Sequence, residues 1–313
     1  METGSERPTG KILIAFAIIY FVWGSTFFAI RIGVHEIPPL LFAAMRFLTA
    51  GAVMYGWLKA RGEKSPALRQ WAWASLLGFL IFVCDYGLLF WAEKKVPSGI
   101  AAVVMSTIPV FISLCEIVLL RTQRLTVRLA VALLIGIAGV AVLVSHSFNL
   151  GDAPIDRLGA VALIVASFSW AISTVLTKRL PLPASKPMSS AAQMLTGGVM
   201  LVAASGIAGD FRGFRPWSIS FGAWVALAYL IVFGSIIGFT AYVWLLHHES
   251  PTKVGTYAYV NPVVAVLVGY FLGGEALGPR TLLGTLCVLI SVVLITRTVA
   301  RKPAAAAASK AEQ

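Results

Sequence analysis

Ten apolar runs, each long enough to cross a lipid bilayer, divide the chain almost from end to end. They cover roughly residues 12–32, 39–58, 71–92, 98–120, 126–145, 158–177, 188–208, 220–246, 254–273 and 281–299, with short charged or Pro/Gly-rich breaks between them. A helix of about 20 apolar residues spans the hydrocarbon layer and satisfies its backbone hydrogen bonds within itself. A soluble fold has no interior for so many. Residues of the AVILMFWYC set make up 58% of the chain and charged residues 12%, against about 45–50% and 25% in soluble domains. The expected fold is an all-α polytopic membrane protein with ten transmembrane helices. The first run is too long for a removed signal peptide and lacks a small-residue cleavage site, so it counts as a helix.

The charges then orient the chain. There are 25 Lys and Arg against 13 Asp and Glu. In so apolar a chain this excess implies basic loops at an anionic membrane face, with lipid and not nucleic acid as the partner. The two tails and the loops after the even-numbered runs hold 17 Lys and Arg, and the other loops hold 7. That bias predicts that both termini are cytoplasmic.

The two halves resemble each other. "WGSTFFAIRIG" from Trp23 and "LTAG" at Leu48–Gly51 reappear as "WAISTVLTKRL" from Trp170 and "LTGG" at Leu195–Gly198, with the same spacing. Trp91 and Pro109 match Trp244 and Pro262 at one common offset; Leu125 and Arg128 match Leu277 and Arg280 at an offset one residue shorter. The expected layout is a cytoplasmic tail (1–11), a five-helix repeat (12–145), a linker (146–157), a second five-helix repeat (158–299) and a disordered tail (300–313). Five is odd, so the second repeat is inserted upside down. Inverted repeats belong to alternating-access transporters, whose site lies between the repeats near the midplane.

Helix breakers and polar groups inside the runs mark candidate positions. Pro109 and Pro262 each remove a backbone hydrogen bond near mid-span, which reads either as a packing kink or as a bend that shapes a central cavity. Asn261 and Tyr257, one helical turn apart, share a face and together present a polar patch. Arg46 and Asp85 lie at equal depth on neighbouring helices. An unpaired charge at mid-helix costs about 2.5–3.5 kcal/mol, so an ion pair is expected between them, serving either as a staple or as part of the substrate path. Gln193 and Gly238 stand at the corresponding places of the second repeat. Trp23 and Trp170, deep and repeat-equivalent, and Tyr86 beside Asp85 are further pathway candidates, although core packing accounts for the tryptophans slightly better. Glu116 reads as structural, beside Arg121 and Arg124. Gly234 and Gly238 form a GxxxG pair that suits close helix approach.

Other chemistries find little support. The chain has no Gly-Lys-Ser/Thr phosphate loop. Its histidines fall at helix ends, no second carboxylate sits at the depth of Asp85, and its three cysteines lie inside apolar runs, where they read as small hydrophobes. No enzyme activity, cofactor or metal is expected. A passive channel for small solutes is the alternative to a transporter, and proton coupling, if present, would use Asp85.

Taken together, "WGSTFFAIRIGVHEIPPLLFAAMRF", "VPSGIAAVVMSTIPVF", "FGSIIGFTAYVWLL" and "TYAYVNPVVAVLVGYFLGGEALG" resemble the EamA family of the drug/metabolite transporter superfamily, with VPSGIAAVV and YAYVNPVVAVL most like its YedA-type bacterial inner-membrane branch. The resemblance spans both repeats. It implies ten helices with both termini inside, and export across the inner membrane of small metabolites, amino acids or related amphiphilic compounds. Arg46 matches the arginine of the family's second-helix motif. Asn261 stands where many members carry Glu before the proline, and Asp85 where the branch is expected to carry a neutral polar residue.

Overall fold

Ten principal helices follow one another through the residues that the computed structural model describes: 9–93, 104–144, 157–212, 214–273 and 279–300. α1 (Thr9–Glu36) and α2 (Pro39–Ala60) are continuous. α3 runs from Leu68–Gly78 through a π-helical stretch, Phe79–Gly87, into Leu88–Glu93. α4 (Ile108–Cys115) ends in a π-helical turn, Glu116–Leu120. α5 (Val127–Val144), α6 (Arg157–Leu176) and α7 (Lys186–Ala208) follow. α8 joins Phe221–Tyr229, a π-helical stretch at Leu230–Ile237, and Gly238–His248. A one-turn helix, Pro251–Val254, leads to α9 (Tyr257–Gly273), and α10 is Pro279–Ala300. The 146–157 linker, apart from its last residue, the outer parts of the two tails and the start of the fourth apolar run lie outside the described residues.

Local chemistry sets the helix ends. Prolines open α2 and α7, where an absent N–H costs nothing. Ser185 and Ser220 cap α7 and α8, accepting from Met188 N at 3.4 Å and Ala223 N at 3.2 Å. Gly209, at φ 79°, closes α7 in the left-handed conformation that glycine adopts without strain.

Among the described residues, six helices are long and apolar enough to cross a membrane: α1, α2, α3 (Leu68–Ala92), α6, α7 and α8. Shorter apolar helices lie at Ile108–Leu120, Val127–Val142 and Leu283–Thr298. Large apolar side chains such as Ile14, Phe21, Val53, Val161, Val199 and Val225 stand exposed on the outside. Water would penalise that surface, whereas lipid does not. The chain is a multi-pass membrane protein.

The packing repeats itself. α2 lies along α7 and α5 along α10; α1 packs on α8 and α9 as α6 packs on α3 and α4; α3 packs on α7 as α8 packs on α2. Each pairing reappears when both partners are exchanged for their counterparts in the other half. The paired Leu-Thr motifs build the α2–α7 crossing reciprocally. A Cβ on Gly51 would stand 2.6 Å from the Leu195 nitrogen, and one on Gly198 would stand 2.6 Å from the Leu48 Cα. Only glycine allows backbones this close. The Gly234/Gly238 pair behaves differently from the expected helix–helix contact. A Cβ on Gly234 would meet the Arg46 guanidinium at 2.8 Å, and one on Gly238 would meet the Trp23 indole nitrogen at 2.5 Å. Those glycines make room for side chains, because α2 and α1 send long ones across towards α8.

Two contacts hold the halves together at opposite ends of α8. At its start, the Glu36 carboxylate accepts from Ser220 N and Ser220 Oγ, both at 2.6 Å. Beyond its end, buried Glu116 accepts from Thr252 N at 3.0 Å and Thr252 Oγ1 at 2.7 Å, capping the one-turn helix. Thr122 Oγ1 also donates to Glu116, at 3.2 Å. Glu116 is therefore structural, as expected, but its partners are hydroxyl and backbone donors and not the nearby arginines. An N-terminal helix cap attracts a carboxylate on its own account.

Candidate functional site

α1, α3, α4, α6 and α9 enclose a central cavity of about 60 Å³. Drug-sized ligand sites measure about 300–1,000 Å³, so this cavity is well below that range. Four aromatic rings line it. Trp23 and Trp170, brought from α1 and α6, meet edge to face with ring centroids 5.6 Å apart. Tyr257 stands 4.9 Å from Trp23 and 6.2 Å from Trp170. Tyr86 packs edge-on against Trp170 at 5.9 Å. Behind them Tyr242 of α8 touches both tryptophans, each at 5.2 Å, and shares a hydrogen bond with Thr174.

The polar groups enter from α3 and α9. Asp85 is 2% exposed, lines the cavity, and its Oδ1 has no hydrogen-bond partner. Asn261 is in the same position: buried, on the cavity wall, with Oδ1 unpartnered. Ala258 and Pro262 line the wall beside it. Pro262 has no N–H to offer the Ala258 carbonyl, so the helix is opened where it meets the cavity. Tyr257 and Asn261 share that face, as their spacing predicts.

Arg46 does not pair with Asp85. It is 1% exposed, and no ion pair within 4.0 Å joins the two. Its Nε donates instead to Ser235 Oγ at 2.9 Å, and its guanidinium lies over the rings of Phe47 at 4.6 Å and Tyr86 at 5.2 Å. The reason is rotational. Asp85 and Tyr86 are successive residues on the π-helical stretch and both line the cavity, but it is the Tyr86 ring that meets the guanidinium from α2. Cation–π contact and a hydroxyl acceptor hold the arginine away from Asp85.

Two other expected positions fall elsewhere. Gln193 is fully buried in α7, donates from Nε2 to Ser189 Oγ at 3.1 Å, and does not line the cavity. Pro109 lies in the first turn of α4, after a turn at Ser106–Thr107, and not in mid-helix. The Thr107 N–H and hydroxyl both bond the Val104 carbonyl, at 3.0 and 2.6 Å, so the chain breaks before the proline. Pro109 thus follows a break between helical residues, whereas Pro262 lies inside a helix. Thr26 and Tyr242 escaped the sequence reading of the site. Thr26 lies one turn beyond Trp23, donates to its carbonyl at 2.7 Å and lines the cavity. That spacing was its only signal.

Sequence and structure comparisons identify the family and the fold. The EamA-like transporter family matches residues 10–145 and again 157–297. The chain is 42% identical over 285 residues to the inner membrane transporter YedA of Escherichia coli (strain K12), covering 90% of this chain and 89% of that one. It is 27% identical to the protein PecM of Dickeya dadantii over 88% of both chains. A crystal structure superposes with a TM-score of 0.74 at 21% identity, over 94% of this chain and 99% of the other; that likeness speaks to the fold. With the family matched in both halves and a 42% identical relative covered almost throughout, the chain belongs to the EamA-like transporter family.

Proposed function

We propose that the protein is a secondary transporter that exports small metabolites, amino acids or related amphiphilic compounds, across the bacterial inner membrane by alternating access. In this reading ten spans form two inverted five-helix repeats with both termini cytoplasmic, and Asp85, Tyr86, Tyr257, Asn261, Trp23 and Trp170 face the substrate. The observation that carries it is the meeting of repeat-equivalent Trp23 and Trp170 around a cavity that holds an unpartnered carboxylate. Such a site between repeats is where alternating-access carriers bind. The reciprocal α2–α7 crossing supports the repeat, and the small cavity suits a carrier caught between open states better than a standing pore.

The Glu36–Ser220 and Glu116–Thr252 contacts take natural roles in this cycle. One breaks while the other holds, and the cavity opens to one side at a time. Arg46 acts as a support that fixes α2 to α8 and steadies Tyr86.

Counterflow in proteoliposomes tests the reading. Vesicles loaded with an unlabelled extract of bacterial metabolites are placed in an isotope-labelled extract, and uptake is read by mass spectrometry. A carrier accumulates at least one labelled compound transiently above equilibrium; a passive channel never exceeds equilibrium, and a protein without transport function moves nothing. Orientation has its own test: a reporter active only in the periplasm is expected to be active in the 210–217 loop and silent after Arg301.

A further inference from the structure

The cavity wall carries a chemical preference that the transport reading alone does not contain. Among the described residues that line it are four rings, Trp23, Tyr86, Trp170 and Tyr257, and one acidic residue, Asp85, with no Lys, Arg or His. Arg46, the one buried Lys or Arg among the described residues, is hydrogen-bonded to Ser235 and lies over Phe47 and Tyr86. Asp85 and Asn261 each present an acceptor oxygen without a donor. The pocket therefore offers two unpartnered acceptors and one unpartnered donor, Trp170 Nε1, beside its four rings. Its one charged side chain is the Asp85 carboxyl, and that group favours positive charge.

We infer that the substrate of this site carries a compact organic cation, a primary amine in its ammonium form or a quaternary ammonium, which sits between the Asp85 carboxylate and the faces of Trp23, Trp170 and Tyr257. The inference rests on the reading of this cavity as the transport site. A buried carboxylate is costly unless a cation or donors reach it. Among the described residues none donates to Asp85 Oδ1 or pairs with the carboxylate, so a proton or a cationic guest is left to neutralise it. A guest that carries its own cation can take the proton's place. Aromatic faces within about 6 Å of a cation add attraction that a neutral or anionic guest does not receive. An anionic guest of equal size would meet the charge of Asp85 with no cation on the wall to offset it, so the site rejects as well as attracts. The ammonium head fits the small cavity, and a longer tail is accommodated as the cavity opens.

The test uses three probes of one shape and three charges: phenethylammonium, phenethyl alcohol and phenylacetate. Each is titrated against the full-length protein in lipid nanodiscs, with tryptophan fluorescence as the readout, and each is offered in the counterflow assay. Phenethylammonium is expected to bind at least tenfold more tightly than the other two. Asp85→Asn, which keeps the side-chain shape and relieves a buried charge, is expected to melt no lower than the parent chain and to lose at least tenfold in phenethylammonium affinity. Asp85→Glu is expected to retain most of it. Equal or tighter binding of the alcohol or phenylacetate, no binding of any probe, or unchanged ammonium affinity in Asp85→Asn would each overturn the inference. The metabolite-extract counterflow separates the two claims. Transport of the extract without Asp85-dependent ammonium binding leaves the carrier and removes the cation. Asp85-dependent binding without any counterflow keeps the cation site and removes the carrier.

Discussion

The two halves of this chain share a scaffold and differ in chemistry. Both contribute a tryptophan to the central contact, Trp23 and Trp170, and both contribute a glycine to the α2–α7 crossing, Gly51 and Gly198. Both place a π-helical stretch inside the third helix of the half, Phe79–Gly87 and Leu230–Ile237. The first stretch carries Asp85 and Tyr86, which face the cavity. The second carries Gly234 and Ser235, which receive side chains from the first half: Trp23 Nε1 donates to the Gly234 carbonyl at 2.9 Å, and Arg46 donates to Ser235. Repetition built the frame. The acidic group is found in one half alone, and the other half became the small-residue bed that lets it be placed. π-Helical turns recur at functional sites because the extra residue re-aims the side chains that follow, and here one such turn aims Asp85.

That contrast can be broken most severely at the frame. Gly51→Val and Gly198→Val each push a branched side chain into a facing backbone, which costs about 1–3 kcal/mol. The two are expected to lower the melting temperature alike. A loss in one and not the other would show that the crossing is not reciprocal. Next comes the chemistry. Asp85→Asn is expected to reduce transport at least tenfold with folded protein undiminished, while Gln193→Ala, in the other half, is expected to leave transport within about twofold, since each tenfold corresponds to about 1.4 kcal/mol. The prolines sharpen the comparison further. Pro262 interrupts α9 on the cavity wall, whereas Pro109 begins a helix. Pro262→Ala is expected to slow transport several-fold at normal membrane abundance, and Pro109→Ala is not. The smallest expected effect is a missing rescue. An ion pair between Arg46 and Asp85 would make the double variant Arg46→Gln, Asp85→Asn fold better than either single variant. With no such pair, the stability effects of the two substitutions are expected to add within about 0.5 kcal/mol.

Much of the frame was legible in the sequence, and for a physical reason. A bilayer demands long apolar helices, so run length announced helix positions, and the shared spacing of Trp and Leu-Thr pairs announced which residues of the two halves correspond. Depth along a helix was legible too, which is why Arg46 and Asp85 looked like partners. Rotation about the helix axis was not. An α-helical period assigns each residue a direction, but a π-helical stretch shifts that direction by part of a turn, and nothing in "FLIFVCDYG" declares the shift. The same blindness placed Gln193 at the site by equivalence with Arg46, although the fold turns it towards Ser189. Gly234 and Gly238 looked like a helix contact because sequence cannot say whether backbone or a long side chain fills the space a glycine leaves.

The central claim is that the cavity around Asp85 is reached from both sides of the membrane in turn, and cysteine accessibility tests it most directly. Cys84, Cys115 and Cys287 are replaced by alanine, and Thr26, on the cavity wall, is changed to cysteine in that background once counterflow has been verified there. A membrane-impermeant maleimide is then applied to right-side-out and to inverted vesicles, with Gln193→Cys as the buried reference. The account predicts that Thr26→Cys is labelled from each side, that phenethylammonium slows both reactions, and that Gln193→Cys is labelled from neither. Labelling of Thr26→Cys from one side only, or from neither while transport persists, would contradict it.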